Sequence, residues 1–203
     1  MPVYLVFFGK DLETPMNQDK YLLDISQSYL LTIDVQVRLM PAMQDNERVV
    51  KRCYRLAEAA KLFELPGSYT EQYPKGLGET LPEVKASLEE AGHPVFDKTR
   101  FTAAIPEVLK HLKESGRQQV ILCGAETHVC VYQTVRDLLG EGYQVLVAAD
   151  AVSSRFPDDK ALALENFRAM GALVTTSENI LFDWLKDAKA PQFKAISNLV
   201  KNY

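Results

Sequence analysis

From about residue 30 onward, short runs of apolar and β-branched residues alternate with longer runs whose apolar positions recur every three or four residues. Runs of the first kind predict strands at 30–34, 63–69, 94–98, 120–123, 145–149 and 172–176. Runs of the second kind predict helices. Val49, Cys53, Leu56 and Ala60 share one helical face, opened by Asp45 or Asn46 as cap. Val108, Leu109 and Leu112 make a second face closed by Gly116, and Val131, Val135, Leu138 and Leu139 a third closed by Gly140 or Gly142. Ala163, Phe167 and Met170 form a fourth ended by Gly171; Leu181, Trp184 and Leu185 form a fifth, with Ser177 placed to cap it. Strands feeding crossover helices predict an α/β fold: a three-layer α/β/α sandwich, doubly wound around a mostly parallel six-stranded sheet.

No internal repeat or low-complexity tract interrupts this alternation, and the Pro- and Gly-rich stretch 65–82 reads as a loop within one domain spanning residues 1–203. Residues 1–24 read as a short N-terminal addition, expected to lend a strand to one sheet edge. Its apolar start is too short to span a bilayer and lacks the basic front of a secretory signal. The net charge of −4 and the scatter of Lys and Arg along the chain leave no footprint for a polyanion. A small-molecule partner is therefore expected, with neither nucleic acid nor membrane. Cys53, Cys123 and Cys130 form no Cys-x-x-Cys pair, which argues against a disulfide framework or a thiolate zinc site and for a reducing, cytoplasmic setting, mitochondrial import being left open. His93, His111 and His128 are too scattered for a ligand set and read as surface or hydrogen-bonded structural residues. No metal and no cofactor are expected.

Ligands of doubly wound sheets bind beyond the carboxyl ends of the strands. Three polar residues sit at such ends: Asp34 closes Leu-Leu-Thr-Ile-Asp34, Lys98 closes Pro-Val-Phe-Asp-Lys98, and Cys130 follows Val-Ile-Leu-Cys-Gly124 across a short turn. In the first turn of a helix, Cys130 would have its thiolate favoured by unpaired N–H groups and by a nearby Lys98 ammonium. Asp34 would take the thiol proton and later return it to a leaving amine. Taken singly, each residue has a plainer reading: a packed thiol, a turn residue, a solvated strand end. Cys123, inside an apolar strand, reads as inert core, as does Cys53.

The segments Leu31-Thr-Ile-Asp34-Val-Gln36, Asp97-Lys98-Thr-Arg-Phe101 and Gly124-Ala-Glu-Thr-His-Val-Cys130-Val-Tyr-Gln-Thr134 resemble the three signature segments of isochorismatase-like cysteine hydrolases. Asp150-Ala-Val-Ser-Ser-Arg155 and Tyr69-Thr-Glu-Gln72-Tyr-Pro-Lys-Gly-Leu-Gly78 resemble the branch of isochorismatase domain-containing proteins. The resemblance implies a catalytic triad of Asp34, Lys98 and Cys130 acting through a covalent thioester. It also implies a cis peptide between Ala125 and Glu126 and an oxyanion hole made by the backbone N–H groups of Glu126 and Cys130. Gln36, Leu39, Gln72, Phe101 and Tyr132 are implied to line the substrate pocket, with simple core packing as the alternative for Phe101. Isochorismatases proper, which cleave a vinyl ether, typically lack the cysteine, so its presence points to a carboxamide or related acyl substrate. Nicotinamidases share the triad but carry an aspartate and histidines for a metal; between Asp34 and Lys98 this chain has only His93. Thr102 stands where relatives often have serine. The family resemblance further implies a homo-oligomer, dimer or tetramer, with the apolar run 193–200 available either for that interface or for packing on its own chain. An idle fold-retaining scaffold and an RNA-processing or RNA-binding protein are the alternative functions.

Overall fold

The computed structural model describes residues 22–202. Six strands, β1 (Ser28–Ile33), β2 (Gly67–Gln72), β3 (Val95–Lys98), β4 (Gln119–Ala125), β5 (Gln144–Ser153) and β6 (Leu173–Thr175), pair side by side in the order β3-β2-β1-β4-β5-β6. Every pairing is parallel, so the sheet is wholly rather than mostly parallel. β1 and β4 are buried along their entire length, the pattern of strands covered on both faces.

Helices α1 (Asn46–Leu62), α3 (Pro82–Glu90), α7 (Ser177–Leu185) and α8 (Phe193–Asn202) cover one face of the sheet; α4 (Pro106–Ser115), α5 (Tyr132–Gly140) and α6 (Pro157–Met170) cover the other. A single turn, α2 (Pro74–Leu77), follows β2. The three-layer sandwich is thus as expected, and the predicted apolar stripes are the buried ones: Val49, Cys53, Leu56 and Ala60 face the sheet from α1. Proline opens α3, α4 and α6, where its missing N–H costs nothing, and Gly116 and Gly171 end α4 and α6 in the left-handed conformation.

Some boundaries differ from expectation. The predicted strand 63–69 is instead the turn that follows α1 and the first residues of β2. Phe63 and Leu65 bury their side chains in the α1-side core without joining the sheet, which begins only after Pro66. The predicted loop 65–82 therefore contains β2 and α2, and helix α3 follows it. The apolar face of α3, Val84 and Leu88, is short and diluted by glutamates. Thr176, not Ser177, caps α7, accepting from Asn179 N–H, while Asp45 precedes α1 with no side-chain cap bond. The expected N-terminal strand falls on residues outside those described, apart from Leu22 to Asp24, which are irregular. The C-terminal run packs on its own chain: Ile196 is fully buried, and Arg55 of α1 donates to the Val200 carbonyl at 3.0 Å.

Candidate active site

The chain leaves β1 toward β2 and β3 on one side, then returns as β4 on the other, so β1 and β4 flank the point where strand order reverses. A crevice opens between loops that diverge there. Asp34 directly follows β1, and Cys130 follows β4 across the wide turn Thr127–Val131. Gly124 lets these two strands come together. Its φ is +117°, and a Cβ there would sit 1.9 Å from the Ile33 carbonyl oxygen, so only glycine fits beside the residue that precedes Asp34.

Lys98 ends β3, two strands away from β1. At roughly 4.8 Å per strand, a side chain crossing beneath the end of β2 has to span about 10 Å to meet one from β1, a distance a lysine and an aspartate cover together. Lys98 Nζ reaches Asp34 Oδ2 at 2.6 Å, with both side chains completely buried. Its other contacts are Gln72 Oε1 at 2.8 Å and the Phe101 carbonyl at 3.0 Å. Asp34 Oδ1 accepts from Thr70 Oγ1 at 2.7 Å, and the Cys130 thiol lies near enough for each group to bear on the other's protonation. Asp34 itself has a φ of +52°, so its backbone turns sharply as it leaves the sheet.

Burial pushes the Asp34 carboxyl above its ordinary value, while Lys98, Thr70 and Cys130 all pull it back toward the anion. Burial, and then the neighbouring Asp34 charge, push the Cys130 thiol up to about 12, against the opposing pull of Lys98 and the Glu126 N–H. Burial and the Asp34 charge thus oppose the thiolate that the sequence reading favours at this position. Cys130 lies in the wide turn that runs directly into α5, and the Lys98 ammonium lies against Asp34.

The Ala125–Glu126 peptide is cis, as the family resemblance implies. The Glu126 N–H faces the Cys130 sulfur, and the Glu126 carbonyl accepts from both Val129 and Val131 N–H at 3.1 Å, which forms the wide turn.

The remaining candidates are dispersed. Gln72 touches the triad through Lys98 and donates to the Thr99 carbonyl. Phe101 offers its carbonyl to Lys98 and leaves its ring 53% exposed, which removes the core alternative. Gln36 is fully buried with its amide committed: Nε2 donates to the Gln72 and Gly78 carbonyls, and Oε1 accepts from Gln72 N–H. It ties the 72–78 segment to the Asp34 turn and has no free polar atom for a substrate. Leu39 packs into the α1-side core. Tyr132 packs at a tilt against Phe167 of α6, centroids 5.8 Å apart, and lines a separate surface cavity with His128, Asp159 and Leu162. His93 is buried, its Nε2 2.8 Å from the Leu65 carbonyl, and His111 lies 3.3 Å from that of Gly67. Among the described residues, no three His, Cys, Asp or Glu side chains converge on a point suited to a metal ion. Thr70 and Thr134 also bond to the site, and the sequence reading does not single them out. Thr134 Oγ1 donates to the Cys130 carbonyl at 2.6 Å and accepts from Ala103 N–H at 2.8 Å, joining the nucleophile turn to the loop after β3.

The isochorismatase domain family model matches residues 28–179. The secreted isochorismatase effector Isc1 of Phytophthora sojae is 41% identical over 87% of this chain and 85% of its own length. Isochorismatase domain-containing protein 2 of Danio rerio is also 41% identical, over 85% of this chain and 86% of its own. A solved structure described as the MAR1 ribonuclease of Caenorhabditis elegans superposes with a TM-score of 0.84 at 38% identity, covering 89% of this chain and 92% of that one. No helix among the described residues is long and apolar enough to cross a membrane.

Proposed function

The chain belongs to the isochorismatase family, and we propose from that premise that it is a cysteine hydrolase of a small carboxamide or related acyl compound. One observation carries the reading: a single buried carboxylate, Asp34, is paired with the Lys98 ammonium at 2.6 Å and lies beside the Cys130 thiol at the mouth of the sheet. A base beside its nucleophile needs no prior thiolate. In the proposed cycle, Cys130 Sγ attacks the substrate carbonyl as its proton passes to Asp34. The Glu126 and Cys130 N–H groups receive the developing oxyanion, where each aimed donor is worth roughly 3 kcal/mol. Collapse breaks the C–N bond, Asp34 protonates the departing amine, and water, deprotonated by Asp34, releases the acid from the thioester and restores the thiol.

Lys98 acts in this scheme by holding Asp34 ionised and oriented, since its contacts run to Asp34, Gln72 and the 100–101 carbonyls. The three free thiols, Cys53, Cys123 and Cys130, fit a reducing, cytoplasmic setting. The proposed assembly is a homo-oligomer.

The test is turnover of a panel of small amides by wild type and Cys130→Ala, with intact-mass detection of an acyl adduct on the wild type. Turnover that survives the substitution rejects the mechanism. The ribonuclease name carried by the nematode structure favours a second reading, action on RNA. A net charge of −4 and a triad built for acyl transfer weigh against it. RNA retention in filter binding that weakens steeply with salt, and RNA cleavage that Cys130→Ala leaves intact, would favour it instead.

A further inference from the structure

The turn that carries Cys130 is held from outside the triad. His128 lies midway between Glu126, whose N–H faces the nucleophile, and Cys130 itself. Its Nδ1 is 2.9 Å from Ser154 Oγ, its backbone N–H is 3.4 Å from the same oxygen, and its Nε2 is 3.7 Å from Asp159 Oδ2 at the start of α6. Ser154 comes from the connection leaving β5, and Asp159 from the first turn of the helix that this connection enters. That connection is itself anchored: Ser153 Oγ donates to the Gln44 carbonyl at 2.6 Å, and Gln44 N–H donates to the Ser154 carbonyl at 3.0 Å. One residue further on, Arg155 Nε donates to the Glu126 carboxylate at 3.1 Å.

Serine, histidine and aspartate in a row have the composition of a serine-nucleophile triad, but the geometry excludes that role. Ser154 is fully buried, so no substrate carbonyl can reach its hydroxyl. The hydroxyl oxygen is instead shared between the ring and the backbone of one residue, His128, which is the arrangement of a clamp.

The clamp closes on the turn that carries Cys130. The Glu126 carbonyl that opens this turn accepts from both Val129 and Val131 N–H at 3.1 Å. A wide turn of this kind has less internal reinforcement than a regular helical turn, so side-chain tethers contribute more to fixing where its thiol and N–H groups point. Errors of about 1 Å at a nucleophile cost on the order of 100-fold in rate.

We propose, on the cysteine-hydrolase reading, that His128 held between Ser154 and Asp159 is a positioning residue, fixing the turn that presents the Cys130 thiol and the Glu126 N–H to the substrate. The experiment compares His128→Ala, Ser154→Ala and His128→Asn with wild type in kcat, KM, melting temperature and the rate of Cys130 alkylation by iodoacetamide. Asparagine places an amide nitrogen close to where Nδ1 lies and can keep the Ser154 contact. The expected result is a fall in kcat of about 10- to 100-fold in both alanine variants with KM changed less than about twofold, and recovery of most of kcat by His128→Asn. Folded alanine variants with wild-type kcat overturn the proposal, as does a loss of kcat that follows melting temperature and is not recovered by asparagine. If wild type turns over no amide, the hydrolase reading fails separately, and alkylation decides the clamp. Several-fold faster alkylation in both alanine variants supports it, and an unchanged rate overturns it.

Discussion

Lys98 Nζ sits 2.6 Å from Asp34 Oδ2, and neither side chain has any exposed surface. A pair so placed adds little net stability relative to an apolar pair, but removing one member strands a charge without solvent. Lys98→Met is therefore expected to cost about 3 to 5 kcal/mol at neutral pH, by urea denaturation. The penalty shrinks with acidification, because Asp34 escapes it by taking up a proton, and burial already raises its pKa. Asp34→Asn combined with Lys98→Met is expected to cost less than the two single changes added together. A Lys98→Met penalty that is small and flat with pH contradicts this account.

Asp34→Asn separates thiol reactivity from turnover. In wild type the carboxylate raises the Cys130 pKa by its charge and by its hydrogen bond, second only to burial. The amide removes both effects and leaves Lys98 uncompensated nearby, so the thiol pKa falls below about 12 and the thiolate fraction at neutral pH rises. Alkylation of Cys130 by iodoacetamide is expected to speed up while amide turnover disappears, because the base and proton carrier are gone. Slower alkylation in this variant would mean that Asp34 is not what keeps the thiol protonated.

That Asp34, Lys98 and Cys130 lie at one end of the sheet was legible because the first two close strands and the third follows β4 across a short turn, and position along a parallel strand maps directly onto an end of the sheet; their joint role came from the family resemblance. What surrounds the triad was not. Thr70 fell outside a strand predicted to end at 69, because the apolar pull of Phe63 and Leu65 drew the prediction toward α1 and away from the polar but buried β2. Gln36 enters the pocket only by loose correspondence with family positions, and its partners are main-chain atoms 36 and 42 residues away, which no local pattern reveals. The balance of effects on the Cys130 thiol was legible only in part, for a related reason. A helix start is visible in sequence, whereas the burial and adjacent carboxylate that outweigh it arise only in three dimensions. His128 and Ser154 meet across 26 residues, and neither carries a mark of that pairing.

Thr70 offers the sharpest probe of Asp34 as base. Its hydroxyl donates to Oδ1 at 2.7 Å and so stabilises the carboxylate over the acid, opposing the upward push of burial. The proposed cycle needs Asp34 ionised in the free enzyme, so kcat/KM falls as pH drops through the Asp34 pKa, and the midpoint of that limb lies above the usual carboxylate value of about 4. Thr70→Val keeps the side-chain shape and deletes the donor. Losing a hydrogen bond worth about 1 kcal/mol to the anion raises the pKa by roughly 0.7 unit, so the acid limb is expected to move to higher pH by about that much. At a pH well above the limb the variant should retain most of wild-type kcat/KM, since Asp34 is then ionised in both proteins. The measurement is kcat/KM from pH 4 to 9 on the best amide of the panel, with an internal control of constant ionic strength. A limb that stays in place, or moves to lower pH, assigns the ionisation to a group other than Asp34.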